Sequence, residues 1–180
     1  KTIVALCAAM NFLSEDPSHG VVVIAPKPAK DLLSKEVAKL DDFQNVPNNY
    51  SDALKRRTME LLKENTYTWE SFSDRFYKPN DHMVQFDLGN KILIIDEAHN
   101  IRNPITKRFG SIIRHTPTAK KLVLLTATPV SHSYLDMYTL FMAMALKMEK
   151  VNNQWKILIR HRNNQDRAAT ALRLFLSYME

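Results

Sequence analysis

Cysteine is nearly absent from this chain, with Cys7 the single one among 180 residues. One thiol excludes an internal disulfide and favours a reducing compartment. No apolar run reaches the roughly 18 residues that a membrane-spanning helix needs, and no signal peptide is visible. We therefore expect an intracellular protein with no membrane partner.

Glycine is also scarce, with only three residues in the chain. A phosphate-binding loop uses several glycines so that backbone N–H groups can approach the phosphates. The small number excludes a complete loop of this kind within the 180 residues.

Apart from the low numbers of cysteine and glycine, the composition is that of a globular domain. Hydrophobic residues make up 45%, charged residues 24% and aromatic residues 9%, which excludes a disordered chain. The net charge of +6 is compatible with a polyanion such as nucleic acid, although it does not single one out.

Predicted strands and helices alternate along the sequence. Short apolar runs predict buried strands at 21–24, 92–95 and 122–125, and residues 66–69 have strand propensity. Helical patterns cover residues 2–11, 29–43, 53–63, 70–77, 103–114, 131–147 and 166–179, whereas 151–159 is ambiguous. This alternation predicts an α/β fold with a mainly parallel sheet flanked by helices on both faces.

Two adjacent carboxylates, Asp96 and Glu97, follow the apolar run 92–95. Ligands of open α/β sheets bind at the carboxyl ends of strands. One carboxylate there can hold hydrated magnesium, and the next can orient a water for attack on a phosphate. The alternative is a solvated turn after a core strand.

The first two residues, Lys1 and Thr2, precede a helical pattern and match the end of G-x-x-x-x-G-K-[ST], the Walker A motif. We expect that the chain was cut within this motif. The alternative is an arbitrary terminus.

Several segments together resemble the SWI/SNF-type branch of superfamily 2 helicases and translocases. Residues 96–103, Asp-Glu-Ala-His-Asn-Ile-Arg-Asn, resemble motif II of that branch. Residues 25–27, 66–72 and 126–129 resemble motifs Ia, Ib and III in the family's order, over roughly residues 1–145. Many members carry glycine where this chain has Ala127.

The resemblance implies a RecA-like three-layer domain that binds ATP and Mg²⁺. Residues 1–150 would form the first RecA-like lobe, and 151–180 a partly helical linker or the start of an insertion. In the ATP site, Asp96 and Thr2 would ligate Mg²⁺, Glu97 would activate water, and Lys1 would neutralise phosphate charge.

The resemblance also implies a connection between the ATP site and nucleic acid. His99 would contact motif III through Thr126 and Thr128. The residues near a phosphate backbone would be Pro26, Lys27, Thr66 and Tyr67. Simpler interpretations are a hydrogen bond at a strand end for His99, turn residues for the two threonines, a solvated Lys27 and core packing for Tyr67 and Trp69.

The implied function is the ATP-binding lobe of an ATP-dependent translocase on duplex DNA. The partner would be a second RecA-like lobe of the same parent chain, which supplies an arginine finger worth about 10³–10⁵ in rate. We therefore expect little or no ATPase activity from these 180 residues alone. Similarity to helicase-like transcription ATPases of large DNA viruses would add transcription machinery as a partner, in the virion or the viral factory cytoplasm.

Two other functions stay open from the sequence. One is a degenerate RecA-like binding module, without catalysis, in a transcription or remodelling complex. The other is a metal-dependent hydrolase that uses Asp96, Glu97 and His99 as ligands.

Overall fold

Four parallel strands form the central sheet in the computed structural model, which describes residues 1–42, 50–76, 87–103, 106–130, 134–151 and 154–159. The strands are β1 (Gly20–Ile24), β2 (Thr66–Tyr67), β3 (Lys91–Asp96) and β4 (Lys121–Leu125). Their order is β2-β1-β3-β4, and every pair is parallel. The predicted α/β fold with a parallel sheet is confirmed.

Helices cover both faces of this sheet. On one side lie α1 (Thr2–Glu15), α2 (Lys27–Glu36) and α3 (Asp52–Asn65). On the other lie α4 (Trp69–Phe76), α5 (Lys107–His115) and α6 (Tyr134–Ala145). The predicted three-layer arrangement is therefore present.

The pleat of β1 explains why its apolar run is continuous. Successive side chains of a strand point to opposite faces. Val21 and Val23 are buried in the core beneath α1–α3, whereas Val22 and Ile24 are buried in the core beneath α4–α6. A strand covered on both sides needs an apolar residue at every position.

The helix predicted over 29–43 is shorter than expected. α2 ends at Glu36, and residues Val37–Asp42 continue as a 3₁₀ helix. α3 agrees closely with its prediction because Ser51 caps it, accepting a hydrogen bond from the Leu54 N–H at 3.2 Å.

The helix predicted over 103–114 begins later than expected. α5 begins at Lys107, because Thr106 is the N-cap and its hydroxyl accepts from the Phe109 N–H at 3.2 Å. A side-chain cap of this kind satisfies an orphan N–H, which a nearby proline does not.

The helix predicted over 131–147 was also too long. α6 ends at Ala145, and Leu146–Val151 form β5, which pairs antiparallel with β6 (Gln154–Ile159). Residues 146–149 alternate apolar and charged side chains, which suits a strand once a partner is present. This hairpin crosses the predicted domain boundary at residue 150, and the helix predicted over 166–179 lies outside the described residues.

None of the helices in the described ranges is long and apolar enough to cross a lipid bilayer.

Candidate active site

The strand register brings three chain segments to one edge of the sheet. Ile24 pairs with Ile95, so the segments that follow β1 and β3 leave the sheet side by side. Asp96 pairs with Leu125, so Thr126 emerges next to Glu97. This carboxyl edge is where open α/β sheets bind ligands.

Lys1 and Glu97 are in direct contact although 96 residues separate them. The Lys1 Nζ donates a hydrogen bond to Glu97 Oε1 at 2.5 Å, and both side chains are about one-third exposed. This bond, together with the charges of Glu97 and then Asp96, raises the pKa of Lys1 above 10.5 despite the opposing effect of desolvation. The lysine is therefore charged at neutral pH and accessible to a ligand.

Glu97 adopts a left-handed backbone conformation, with φ of 51° and ψ of 49°. It is the sole non-glycine residue with positive φ in the part of the chain that the structure describes. Three hydrogen bonds hold it: its N–H donates to Asp96 Oδ1 at 2.9 Å, and its carbonyl accepts from the backbone and side-chain amides of Asn100 at 3.0 and 2.9 Å. Such strain tends to cluster at functional sites.

His99 lies between Glu97 and the segment after β4. Its Nδ1 is 3.3 Å from both Glu97 Oε2 and Thr126 Oγ1. The Thr126 hydroxyl in turn accepts from the Thr128 N–H at 3.1 Å. One imidazole therefore connects the predicted water-activating carboxylate to the predicted coupling threonines.

The donor set fits a magnesium ion that is shared with phosphate oxygens. Asp96 offers a half-buried carboxylate at the end of β3, and Thr2 lies exposed in the first turn of α1. Oxygen donors of this kind suit Mg²⁺, which keeps several of its waters and binds through one or two carboxylates plus phosphates.

The alternative function, a metal-dependent hydrolase, is not supported by the arrangement of these side chains. In the described ranges, no three His, Cys, Asp or Glu side chains are grouped so as to hold a metal ion. Asp96, Glu97 and His99 therefore do not form the joint ligand set that this alternative requires.

The four predicted nucleic-acid residues differ in their surroundings. Pro26 is the N-cap of α2 and Lys27 is exposed in its first turn. Thr66 is buried, and its hydroxyl donates to the Leu62 carbonyl at 2.6 Å. Tyr67 packs edge-on against the rings of Phe72 and Phe76. The structure thus leaves the first two accessible and directs the threonine hydroxyl into the fold.

The sequence did not predict a network of hydrogen bonds between polar side chains that extends away from Glu97. Arg108 on α5 donates to Asn100 Oδ1 at 3.1 Å and to Glu70 Oε1 at 2.7 Å. Asn100 holds the Glu97 carbonyl, and Glu70 lies in the segment that resembles motif Ib. No local pattern marks Arg108, because its partners lie 8 and 38 residues away.

A parallel α/β domain with a lysine paired to a carboxylate at the carboxyl edge has the architecture of a RecA-like ATPase lobe. Residues 40–179 match the family model described as the SNF2-related domain, and the chain belongs to this family. The match begins after Lys1, Thr2, Pro26 and Lys27, so their assignment depends on the geometry described above.

One curated relative is Protein CHROMATIN REMODELING 24 of Arabidopsis thaliana. It is 26% identical to this chain over 132 residues, which cover 67% of the chain. The chain spans only 12% of the length of that relative.

Proposed function

We propose that this chain is the first ATPase lobe of an ATP-dependent translocase that moves on duplex DNA. The 2.5 Å contact between Lys1 and Glu97 carries this proposal. It brings the ends of two motifs together at the edge of the sheet, as a shared phosphate site requires.

Each site residue has a distinct task in this proposal. Bound ATP and Mg²⁺ would supply the scissile phosphate and the charge that polarises it. Lys1 binds phosphate oxygens through its ammonium group, and Asp96 with Thr2 holds the metal. Glu97 accepts a proton from the attacking water once a phosphate, in place of the carboxylate, occupies Lys1.

His99, Thr126 and Thr128 would transmit the state of this site to the nucleic-acid surface. Their contacts provide a continuous connection from Glu97 to the loop after β4. The net charge of +6 and the name of the plant relative support DNA as the partner. The plant relative lends no support to the viral subtype, which stays a prediction, as do the localisation and the transcription machinery as partner.

The test is Glu97→Gln in the longest available form of the protein that contains this chain. We expect ATP hydrolysis to fall at least about 100-fold, because the general base is lost. The affinity for ATP, measured with a fluorescent analogue, should be retained because Lys1 and Thr2 remain.

His115→Gln provides a matched control, because His115 lies in the buried core of α5, away from the carboxyl edge. A Glu97→Gln protein that hydrolyses ATP as fast as the control would contradict the proposal. A parent that binds no ATP at all would favour the non-catalytic binding module.

A further inference from the structure

An open groove between α2 and α3 is lined by Lys30, Ser34, Lys35 and Lys63 and has a volume of about 430 Å³. We propose that this groove binds successive phosphates of a nucleic-acid backbone, outside the motifs identified from the sequence. The inference rests on the proposed function in one respect, namely that the partner is nucleic acid.

The three groove lysines are not neutralised by the described part of the protein. No carboxylate lies within ion-pair distance of Lys30, Lys35 or Lys63 there. By contrast, Lys39 pairs with Glu36 at 2.9 Å and Lys121 with Glu15 at 2.6 Å. Three like charges around one groove repel each other, and a polyanion relieves that repulsion.

Ser34 is the one uncharged residue of the groove lining. Although only 7% of this residue is exposed, its hydroxyl is accessible to solvent and makes no hydrogen bond to the described residues. A phosphate oxygen in the groove would accept a hydrogen bond from this hydroxyl.

The groove lies on the same helix as Lys27, for which the family resemblance implies a position near nucleic acid. Lys27, Lys30 and Ser34 occupy positions i, i+3 and i+7 of α2, which places them along one face of the helix. The rise from Lys27 to Ser34 is about 10 Å, which is longer than one phosphate group can span. An extended backbone therefore fits this surface better than a single free phosphate.

The test compares two triple variants by fluorescence anisotropy with a short labelled DNA duplex over a range of salt concentrations. In the groove variant, Lys30, Lys35 and Lys63 are each changed to Gln. In the control, Lys39, Lys107 and Lys121 are each changed to Gln, which removes the same charge elsewhere. We expect the groove variant alone to bind at least about tenfold more weakly near 0.1 M salt, with a log–log salt slope reduced by about 3.

Ser34→Ala separates binding from folding. Alanine is a better helix former, and no protein hydrogen bond is lost among the described residues, so the thermal midpoint should not fall. Duplex binding should weaken by about two- to tenfold.

The outcomes distinguish the two proposals. If the unmodified protein binds no duplex, the DNA translocase and the groove both fail. If it binds but the groove variant matches the control in affinity and slope, only the groove is refuted. Polyglutamate that binds as tightly as duplex through the same lysines, or inorganic phosphate that displaces the duplex at low millimolar concentration, would overturn the assignment to a nucleic-acid backbone.

Discussion

Glu97 combines a strained backbone with a side chain at the centre of the candidate site. Left-handed geometry costs a non-glycine residue roughly 1–2 kcal/mol, and the bonds from Asp96 and Asn100 hold it in place. The conformation directs the carboxylate towards Lys1 and His99 rather than back along the strand. The strained backbone of Glu97 therefore lowers the stability of the protein at the position where ATP hydrolysis is proposed to occur.

Two substitutions at Glu97 separate these effects. Glu97→Ala removes the carboxylate and keeps the strain, whereas Glu97→Gly removes both. We expect the glycine variant to be more stable than the alanine variant by about 1 kcal/mol, measured by urea unfolding. Both should lack ATP hydrolysis in the parent. Equal stabilities would show that the left-handed conformation is not strained.

At the scale of elements, Arg57 fixes α3 to the connection between α1 and β1. Its guanidinium donates to three backbone carbonyls: Leu13 at 3.2 Å, Pro17 at 2.7 Å and His19 at 2.6 Å. A guanidinium presents five donors in a rigid planar fork, whereas a lysine ammonium presents three donors on a flexible stem. Because Lys1 directly precedes α1 and α3 leads into β2, these bonds also hold the elements that frame the candidate site.

Removing these hydrogen bonds should destabilise the whole domain. We expect Arg57→Ala to lower the free energy of unfolding by about 2–4 kcal/mol, since charged hydrogen bonds to partly buried carbonyls are lost. Arg57→Lys should lower the free energy of unfolding by less than Arg57→Ala does, but should still lower it.

The neighbouring Arg56 is exposed and provides the control. Arg56→Ala should change stability by less than about 0.5 kcal/mol. Denaturant unfolding followed by circular dichroism measures all three variants, and similar values for Arg56→Ala and Arg57→Ala would contradict this role of Arg57.

At the scale of the whole molecule, a RecA-like lobe provides one wall of an ATP site. The second lobe of such motors adds an arginine finger worth about 10³–10⁵ in rate. The described residues place Lys1, Asp96 and Glu97 at an open, partly exposed edge. That edge suits closure by a second lobe.

We therefore expect the 180-residue chain alone to hydrolyse ATP at no more than about a thousandth of the rate of a parent form that contains a second lobe. A coupled-enzyme assay with and without duplex DNA measures both proteins, and only the parent should respond to DNA. Turnover by the chain that matches the parent and is abolished by Glu97→Gln would disprove the need for a second lobe.

The sequence by itself determined the arrangement of helices on both faces of a parallel sheet. It also determined that the carboxylates of Asp96 and Glu97 lie at the end of a strand. Continuous apolar runs such as 92–95 predict strands buried on both faces, because a strand covered on both sides needs an apolar residue at every position. Asp96 and Glu97 follow one such run, so their position at the carboxyl edge was predictable. Burial patterns and caps such as Ser51 are local, and a single sequence records them directly.

Only the tertiary structure decided which distant groups meet. Lys1 reaches Glu97 because parallel strands align the start of α1 with the end of β3. The left-handed geometry of Glu97, its support by Asn100 and the role of Arg108 depend on contacts that no periodicity encodes. The run 146–151 likewise became a strand only through pairing with 154–159. The periodicity of the sequence determines most helices and strands of this protein. The candidate site depends instead on residues that meet only in the folded structure, because hydrogen bonds and charges act between groups that are close in space, however far apart they lie in the sequence.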